Sequence, residues 1–323
     1  MPDTDTLPLL DFHPKTESVR DEVLRGLQDT PKHLPSKLFY DERGSQLFDA
    51  ICKLDEYYPT RTEQAIMERH VEAMVEAMGP RALLVEYGSG SSTKTRTLLD
   101  HADDLAGYVP IDISRDHLLQ AAEAIAARYP ELNVLPVCAD YTADYHLPEP
   151  DTPPERTVVY YPGSTIGNFT PEAARHFLAH IANQVGPEGG LLIGVDLQKD
   201  EAVLHAAYND AEGVTAAFNK NVLRRINREL DADLNLDAFR HEAVYNAEQG
   251  RIEMHLVSTS DQGVSVAGVD IDIAAGERIT TEYSYKYTVD GFAALAAEAG
   301  WSVDEVWTDE DRLFSVQYAV RAA

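Results

Sequence analysis

Two glycines, Gly88 and Gly90, follow the apolar run ALLVEY and let the backbone approach a ligand closely, because neither residue has a Cβ. In an open α/β sheet, ligands bind beyond the carboxyl ends of the strands, where backbone amides and a helix N-terminus meet them. A nicotinamide dinucleotide fingerprint has a third glycine at the position that Thr93 occupies here. The sequence therefore favours a ligand that lacks a pyrophosphate group.

Carboxylates after the next two predicted strands point to an adenosine. Asp112 lies 24 residues after Gly88, where such folds place an acid that binds both ribose hydroxyls. Asp140 and Tyr141 end the third predicted strand, at a position suited to the adenine amino group and ring. Together with the glycine turn, these residues suggest S-adenosylmethionine as the cofactor. Each acid taken alone could instead be a helix cap or the end of a solvated loop.

The heptapeptide TEYSYKY, residues 281–287, is a second pattern that could bind a polar ligand. Because successive side chains of a strand point to opposite faces, its three tyrosines share one face. Glu282, Ser284 and Lys286 share the other face. Periodicity alone would make the tyrosine face a surface on which a ligand stacks.

The composition argues against several classes of partner. The 323 residues, of which 44% are hydrophobic, can form a core in roughly two domains. Lysines and arginines total 27 against 55 aspartates and glutamates, which gives a net charge of -28. This excess argues against nucleic acids and anionic membranes, since both attract cationic patches, and leaves a small molecule as the expected partner. It is also the charge that a high-salt cytoplasm would favour.

The sequence carries no recognisable metal site, disulfide framework or targeting segment. Cys52 and Cys138 are too few and too far apart for a disulfide framework, so a cytoplasmic location is expected. The 11 histidines are scattered without an HExxH motif, and we expect no metal. A signal-peptide pattern and a run of 18 apolar residues are both lacking, so neither secretion nor membrane spanning is expected. The turn around Ser164 lacks the G-x-S-x-G motif of serine hydrolases.

Strands alternate with amphipathic helices over much of the chain. The runs ALLVEY, GYVPIDI, NVLPVCAD, TVVYYPGS and GGLLIGVDL predict strands. The helix before the first of them is predicted to begin at a capping box of Thr60 and Glu63 and to end at Gly79. This alternation predicts a doubly wound α/β fold with a parallel sheet.

The alternation breaks after LLIGVDL, which indicates an inserted domain. Two helical patterns follow, and then antiparallel strands around RIEMHLVSTS, VSVAGVDIDI and ERITTEYSYKY. The βα rhythm resumes at DGFAALAAEAGWSVDEVW, and RLFSVQYAV could pair antiparallel with SVDEVW. We expect the N-terminal segment PSKLFYDERGSQLFDAICKL to complete the inserted domain. The predicted division is 61–198 plus 287–323 for the cofactor domain and 10–60 plus 199–286 for the substrate domain.

Several segments, in order and spacing, resemble the histidine-specific α-N-methyltransferases of ergothioneine biosynthesis. They are KLFYDERGSQLFDAICKLDEYYPTRTE, VEYGSGSSTKT, GSTIGNFTP, AYNDAEGVTAAFNKNVLRRINREL, RIEMHL and TEYSYKY. The resemblance implies a class I, Rossmann-like methyltransferase domain with an inserted α+β substrate domain. It also implies transfer of three methyl groups from S-adenosylmethionine to the α-amine of L-histidine, which gives hercynine and S-adenosylhomocysteine.

The same resemblance implies a set of cofactor-binding residues. These are Gly88, Lys94, Asp112, Asp140 and Tyr141. Without the resemblance, Lys94 would be interpreted as a solvent-facing helix residue. In the family pattern it becomes a partner of the cofactor's carboxylate.

The resemblance further implies residues for the substrate. They are Tyr57, Asn168, Tyr208, Met254, Glu282 and Ser284, with Tyr40 nearby. Tyrosine hydroxyls would bind the substrate carboxylate, and Asn168, together with Tyr40, would position the amine. Glu282 and Ser284 would hydrogen-bond the imidazole, and Met254 would lie beside that ring. No single general base is assigned.

Two other interpretations stay open. One is a related methyltransferase that acts on free tyrosine or tryptophan, although Glu282 and Met254 argue against it. The other is an NAD-dependent oxidoreductase or a noncatalytic adenosine-binding module, which Thr93 disfavours. In the preferred interpretation the protein is a monomer, the tyrosines of TEYSYKY pack in the inserted domain, and Lys286 has no assigned role.

Overall fold

The computed structural model describes residues 7–13, 18–88 and 93–322. The strands are β1 (Leu10–Asp11), β2 (Ala82–Tyr87), β3 (Leu105–Asp112), β4 (Val137–Cys138), β5 (Arg156–Tyr161), β6 (Gly190–Asp196), β7 (Phe239–Asn246), β8 (Arg251–Ser258), β9 (Gln262–Val266), β10 (Val269–Ile273), β11 (Arg278–Tyr285), β12 (Trp301–Thr308) and β13 (Phe314–Arg321). The helices are α1 (Val19–Gln28), α2 (Glu42–Ile51), α3 (Tyr58–Met78), α4 (Thr93–Leu99), α5 (Arg115–Arg128), α6 (Pro171–Val185), α7 (Glu201–Tyr208), α8 (Val214–Glu229) and α9 (Val289–Glu298).

A central sheet of eight strands has the order β1-β4-β3-β2-β5-β6-β13-β12. Strands β1 to β6 pair in parallel, and β13 runs antiparallel to both β6 and β12. The pairing of β12 with β13 was predicted and is confirmed. The sheet therefore confirms the predicted doubly wound α/β class, with an antiparallel pair at one edge.

Helices cover both faces of this sheet. Within β2, Leu83 and Val85 join one core, which also contains Phe177 of α6 and Phe292 of α9. The alternate residue Leu84 joins the opposite core, together with side chains of α3, α4 and α5. This period-two division of a continuously buried strand is what a parallel sheet between two helical layers requires.

A third core unites the N-terminal segment with the inserted residues. Leu27 of α1 and Phe39 lie in the same apolar cluster as Leu223 of α8 and Ile279 of β11. Around this cluster lie the antiparallel sheet β11-β8-β7 and the hairpin of β9 and β10. Strand β7 was not recognised in the sequence, since only two of its eight residues are buried.

The predicted capping box is wrong. Helix α3 begins at Tyr58, two residues before Thr60, with Pro59 in its first turn. Proline suits that turn because its φ is already helical and its missing N–H would have no helical partner there. Thr60 instead donates a hydrogen bond to the Cys52 sulfur at 3.3 Å. The predicted helix end at Gly79 is confirmed, with a φ of 76° that favours glycine.

The strand predicted from NVLPVCAD is also shorter than expected. Only Val137 and Cys138 form β4, and Val134 adds an isolated bridge to Tyr108. Among the described residues, no helix is long and apolar enough to cross a lipid bilayer.

Gly194, in the middle of β6, provides the space for a buried carboxylate. A Cβ added there would lie 2.1 Å from Oε1 of Glu63. We expect Gly194→Ala to lower the free energy of unfolding by about 1 to 3 kcal/mol, as overpacking does. Gly263→Ala in β9 is the control, because its added Cβ would meet its nearest neighbour, Asp272, at 3.8 Å. Equal midpoints of urea unfolding for the two variants would contradict this role of Gly194.

Candidate active site

The carboxyl ends of β2 and β3 carry the residues predicted to bind the cofactor. Gly88 follows β2 with a φ of 72°, and its N–H donates to the Ile111 carbonyl at 2.9 Å. This left-handed conformation favours glycine. A Cβ added to Gly88 would meet no described atom within 4 Å. Gly90 lies outside the described residues.

Both predicted aspartates stand at strand ends and also brace their own turns. The Asp112 carboxylate accepts the Ser114 N–H at 2.8 Å, and burial raises the pKa of this carboxyl. The Asp140 carboxylate accepts the N–H and the hydroxyl of Thr142 at 2.9 and 2.6 Å. In each carboxylate these bonds use Oδ1 alone. The Oδ2 atom of either aspartate can therefore still accept a hydrogen bond from a ligand hydroxyl.

Tyr141 forms part of an aromatic floor beside these aspartates. Its ring stacks on Tyr87 with a centroid distance of 5.0 Å and an interplanar angle of 7°. Tyr161 and Phe177 pack against it at 6.0 and 5.9 Å. Because Tyr141 is only partly buried, it presents an aromatic surface at the ends of the parallel strands.

Lys94, predicted from the resemblance, is mostly buried rather than solvent-facing. Its side chain is 19% exposed, and its ammonium group donates to the carboxylate of Glu63. Glu63 is fully buried and also accepts the N–H of Gly163 at 2.9 and 3.0 Å. The sequence analysis missed this role of Glu63 because the residue was assigned to a capping box, and no local pattern reveals a partner 100 residues away.

The loop after β5 places Asn168 close to β11. Ser164 has a left-handed φ of 54°, and its hydroxyl accepts the Asp196 N–H at 2.9 Å. A Cβ on Gly167 would lie 2.7 Å from the carbonyl oxygen of Tyr285, so only glycine allows this approach. Asn168 follows in a short 3-10 turn, Thr165–Asn168, and is partly buried.

Three predicted tyrosines belong to one aromatic group, in which Phe48 packs against Tyr40 at 5.8 Å and against Tyr57 at 6.3 Å. The ring centroids of Tyr57 and Tyr208 are 6.4 Å apart. Tyr40 is 50% exposed, yet its pKa is raised. Reduced hydration is the largest cause, the charge of Glu282 is the second, and smaller contributions come from groups that include Tyr141 and Tyr208. Tyr141, on the predicted cofactor side, and Glu282, on the predicted substrate side, both lie near enough to Tyr40 to act electrostatically on its hydroxyl.

A β-bulge between Thr280 and Glu282 sets the direction of the predicted ring-binding residues. Glu282 pairs with Met254 of β8, whose side chain is buried. Burial raises the pKa of Glu282 to about 7, and the positive charge of Lys286 opposes that rise. Glu282 is consequently a carboxylate that is partly protonated near neutral pH and poised to accept a hydrogen bond.

The tyrosines of the same strand face the other way and pack against Arg251. The guanidinium of Arg251 lies 3.7 Å from the ring centroid of Tyr283 and donates to the hydroxyl of Tyr285. Tyr287 packs edge-on against Phe292 at 5.5 Å. Tyr283 and Tyr285 thus pack as predicted within the inserted residues, whereas Tyr287 packs against the core of the central sheet.

A buried ion cluster links the substrate-side residues to the sheet. Asp196, at the end of β6, is 1% exposed and pairs with Lys286 at 2.7 Å and Lys199 at 2.6 Å. Burial opposes ionisation of Asp196, but the two lysines outweigh it and hold the pKa of this carboxyl below its usual value. The hydroxyl of Tyr58 donates to Asp196 at 2.8 Å. None of these roles was predicted, since Asp196 and Lys286 lie on distant parts of the chain.

Lys286 reaches from this cluster into the predicted substrate site. Its ammonium group donates to Ser284 Oγ at 2.7 Å and to the Tyr208 hydroxyl at 3.0 Å. The Tyr208 hydroxyl in turn donates to Ser284 Oγ at 2.9 Å. Two of the predicted substrate residues thus share one buried cation.

Comparison with known proteins identifies a family. A family model described as histidine-specific methyltransferase, SAM-dependent, matches residues 19–321. The histidine N-alpha-methyltransferase of Mycolicibacterium smegmatis is 46% identical over 310 residues, which cover 94% of this chain and 95% of that protein. The enzyme of the same name from Mycobacterium tuberculosis is 44% identical, with the same coverage. Ergothioneine biosynthesis protein 1 of Neurospora crassa is 32% identical over 87% of this chain and 32% of its own length.

Glu86, the acid of β2, is buried and hydrogen-bonded to two hydroxyl groups. It accepts hydrogen bonds from the hydroxyls of Thr95 and Tyr108, and burial raises its pKa from 4.5 to about 7. Between pH 4.5 and about pH 7, Glu86 holds a proton in the folded protein but not in the unfolded chain. The free energy of unfolding therefore falls as the pH rises through this range.

We therefore expect Glu86→Gln to raise the free energy of unfolding at pH 8 by an amount on the order of 2 to 3 kcal/mol. The gain should largely vanish at pH 5, where the glutamic acid is protonated in the folded protein. Urea unfolding of the ligand-free protein at both pH values measures the effect, and Glu123→Gln on the exposed face of α5 is the control. A gain of equal size at both pH values would contradict the raised pKa.

Proposed function

The chain belongs to the family of histidine-specific, S-adenosylmethionine-dependent methyltransferases, and we propose that it methylates the α-amino group of L-histidine. Three successive transfers give hercynine, in the first step of ergothioneine biosynthesis. The observation that carries this proposal is the position of Tyr40, which packs with Tyr57 around Phe48 and lies within electrostatic reach of both Glu282 and Tyr141. A cofactor bound at Tyr141 and an amino acid bound at Glu282 would lie next to each other.

The proposed cofactor site uses the residues at the strand ends. Asp112 binds the ribose hydroxyls, and its pKa, raised by burial, reflects a carboxylate that lacks hydration and gains from such donors. Asp140 and Tyr141 bind adenine, and Gly88 lets the backbone approach the ligand closely. Lys94 binds the carboxylate of the methionine moiety. Glu63 holds Lys94 in place.

The proposed substrate site uses the residues predicted for histidine on the side of the inserted strands. Glu282 and Ser284 hydrogen-bond the imidazole, while Met254 packs beside the ring. Tyr57 contributes to binding of the carboxylate. The Tyr208 hydroxyl donates to Ser284 Oγ and accepts from Lys286, so its hydrogen is not available to the carboxylate, and Tyr208 supports the ring site through Ser284.

The proposed mechanism relies on orientation rather than on covalent catalysis. S-adenosylmethionine supplies a methyl group that its sulfonium already activates. The protein holds the amine in line with that methyl group, and such orientation can contribute on the order of 7 to 11 kcal/mol. Asn168 accepts a hydrogen bond from the amine, and Tyr40 lies beside it. As methylation makes the nitrogen permanently cationic, the tyrosine faces of the site stabilise it through cation–π contacts.

We assign residues 61–198 and 287–323, together with β1, to the cofactor domain, and residues 18–60 and 199–286 to the substrate domain. The predicted start of the substrate domain at residue 10 is wrong, because β1 pairs with β4 in the central sheet. The apolar core shared by α1, α2, α8 and β11 supports this division. We propose a monomer as the active species.

The function is tested by mass spectrometry of each free amino acid after incubation with the protein and S-adenosylmethionine. We expect histidine alone to gain mass, up to three methyl groups, and fragmentation to place them on the α-nitrogen. Methylation of tyrosine or tryptophan with histidine unchanged would overturn the proposal.

Glu282→Ala should separate substrate recognition from cofactor binding. Loss of a buried acceptor costs roughly 1 to 3 kcal/mol, so we expect kcat/KM for histidine to fall about 5- to 150-fold. Affinity for S-adenosylhomocysteine, measured by calorimetry, should stay within about twofold, because Glu282 has no proposed contact with the cofactor. Glu305→Ala, on an exposed position of β12, is the control. An unchanged kcat/KM for histidine would remove Glu282 from the substrate site.

A further inference from the structure

Lys286 is a buried cation whose three N–H groups all have partners. The side chain is 1% exposed. Its ammonium group donates to Asp196 at 2.7 Å, to Ser284 Oγ at 2.7 Å and to the Tyr208 hydroxyl at 3.0 Å. A lysine ammonium has three donors and no acceptor, so this geometry saturates it. Its orientation is consequently fixed by the fold and not by a ligand.

This saturation determines the direction of the Ser284 hydroxyl hydrogen. A serine oxygen has two lone pairs and one hydrogen. One lone pair accepts from Lys286 and the other from the Tyr208 hydroxyl. The Ser284 hydroxyl therefore has no remaining capacity to accept, and its own hydrogen is left to donate to a ligand.

We propose that Lys286 is a positioning residue for the substrate ring. It makes Ser284 a hydrogen-bond donor, and only an unprotonated ring nitrogen can accept the hydrogen bond that Ser284 donates. This inference rests on the proposed function, since it presumes that the ring of histidine lies between Glu282 and Ser284. Its consequence is that the site selects the neutral form of the imidazole.

The selection follows from the hydrogen-bonding groups of the two ring forms. A neutral imidazole has one N–H donor and one bare nitrogen that accepts, whereas an imidazolium has two donors. Glu282 accepts a hydrogen from either form. Ser284, directed outward as a donor, meets an acceptor only in the neutral ring and an opposing N–H in the charged ring.

The charges around the ring position do not by themselves favour the imidazolium. Glu282 of β11 contributes a negative charge when it is ionised, but burial raises its pKa to about 7. Lys286 contributes a positive charge next to Ser284 and is balanced by Asp196 at the end of β6. Lys199 adds a second buried cation on the far side of Asp196. The neighbouring hydroxyls of Tyr40, Tyr57 and Tyr208 remain neutral, because burial raises the pKa of each.

The wild-type protein allows a direct test with L-histidine and L-2-fluorohistidine. Fluorine lowers the basicity of the ring, so the analogue stays neutral where the histidine ring takes up a proton near pH 6.5. Dissociation constants of both ligands are measured by calorimetry between pH 7.5 and 5.5, on protein saturated with S-adenosylhomocysteine. Their ratio cancels the ionisation of protein groups such as Glu282, since the same protein binds both ligands.

If only the neutral ring binds, the dissociation constant of histidine divided by that of fluorohistidine rises about tenfold as the pH falls from 7.5 to 5.5. A ratio that stays flat would overturn the proposal, because the charged ring would then bind as well as the neutral one. This measurement uses the wild-type protein alone, so it tests the proposal even if substitutions at Lys286 prevent folding.

Lys286→Met tests the origin of the selection. Without the ammonium group the Ser284 hydroxyl can turn and accept, so we expect the rise in the ratio to shrink below about threefold. Lys199→Met is the matched control, because it removes a cation from the same Asp196 but makes no contact with Ser284, and it should keep the tenfold rise. A tenfold rise in both variants would overturn the role of Lys286, since a merely structural lysine would leave the ratio unchanged.

The arms separate this inference from the proposed function. Binding of histidine with a flat ratio contradicts the ring selection and leaves the proposed function standing. Failure of both ligands to bind the protein saturated with S-adenosylhomocysteine contradicts the proposed function and the inference together.

Discussion

Asp196 is a carboxylate withdrawn from water at the end of β6, and both sides of the site depend on how its charge is compensated. Taking such a charge out of water costs several kcal/mol unless it is paired and hydrogen-bonded. Lys286, Lys199 and Tyr58 all bind it, while its backbone N–H bonds to Ser164. Compensation of this charge connects the end of β6, the start of α3 and the segment after β11, and the backbone N–H of the same residue adds the loop after β5.

Glu63 plays a comparable part on the cofactor side. It is fully buried, and it binds Lys94 together with the N–H of Gly163. The loop after β5 is therefore held at two adjacent points, by the buried Glu63 carboxylate at Gly163 and by the backbone N–H of Asp196 at Ser164. Asn168 ends this loop, at the boundary between the two proposed ligand sites. This arrangement can hold amine and methyl donor in register without a dedicated catalytic base.

The sequence predicts those parts of the structure that are encoded by local patterns. The parallel strands, the end of α3 at Gly79, and the pairing of β12 with β13 follow from periodicity and glycine placement. The resemblance named Lys94, which local reasoning would have placed in solvent. Sequence could not reveal Glu63 and Asp196 as buried anchors, because their partners lie far along the chain and appear only when the sheet brings strand ends together. The capping box at Thr60 failed because Pro59 provides a better first turn for the helix.

The central claim is that one site binds the cofactor and histidine side by side, and that Glu282 and Ser284 hydrogen-bond the histidine ring. A crystal structure of the protein with S-adenosylhomocysteine and L-histidine tests it most directly. The claim predicts the imidazole within hydrogen-bond distance of Glu282 and Ser284, and the α-nitrogen beside Asn168, facing the cofactor sulfur. A histidine bound with its ring away from Glu282, or with its amine remote from the sulfur, would contradict it.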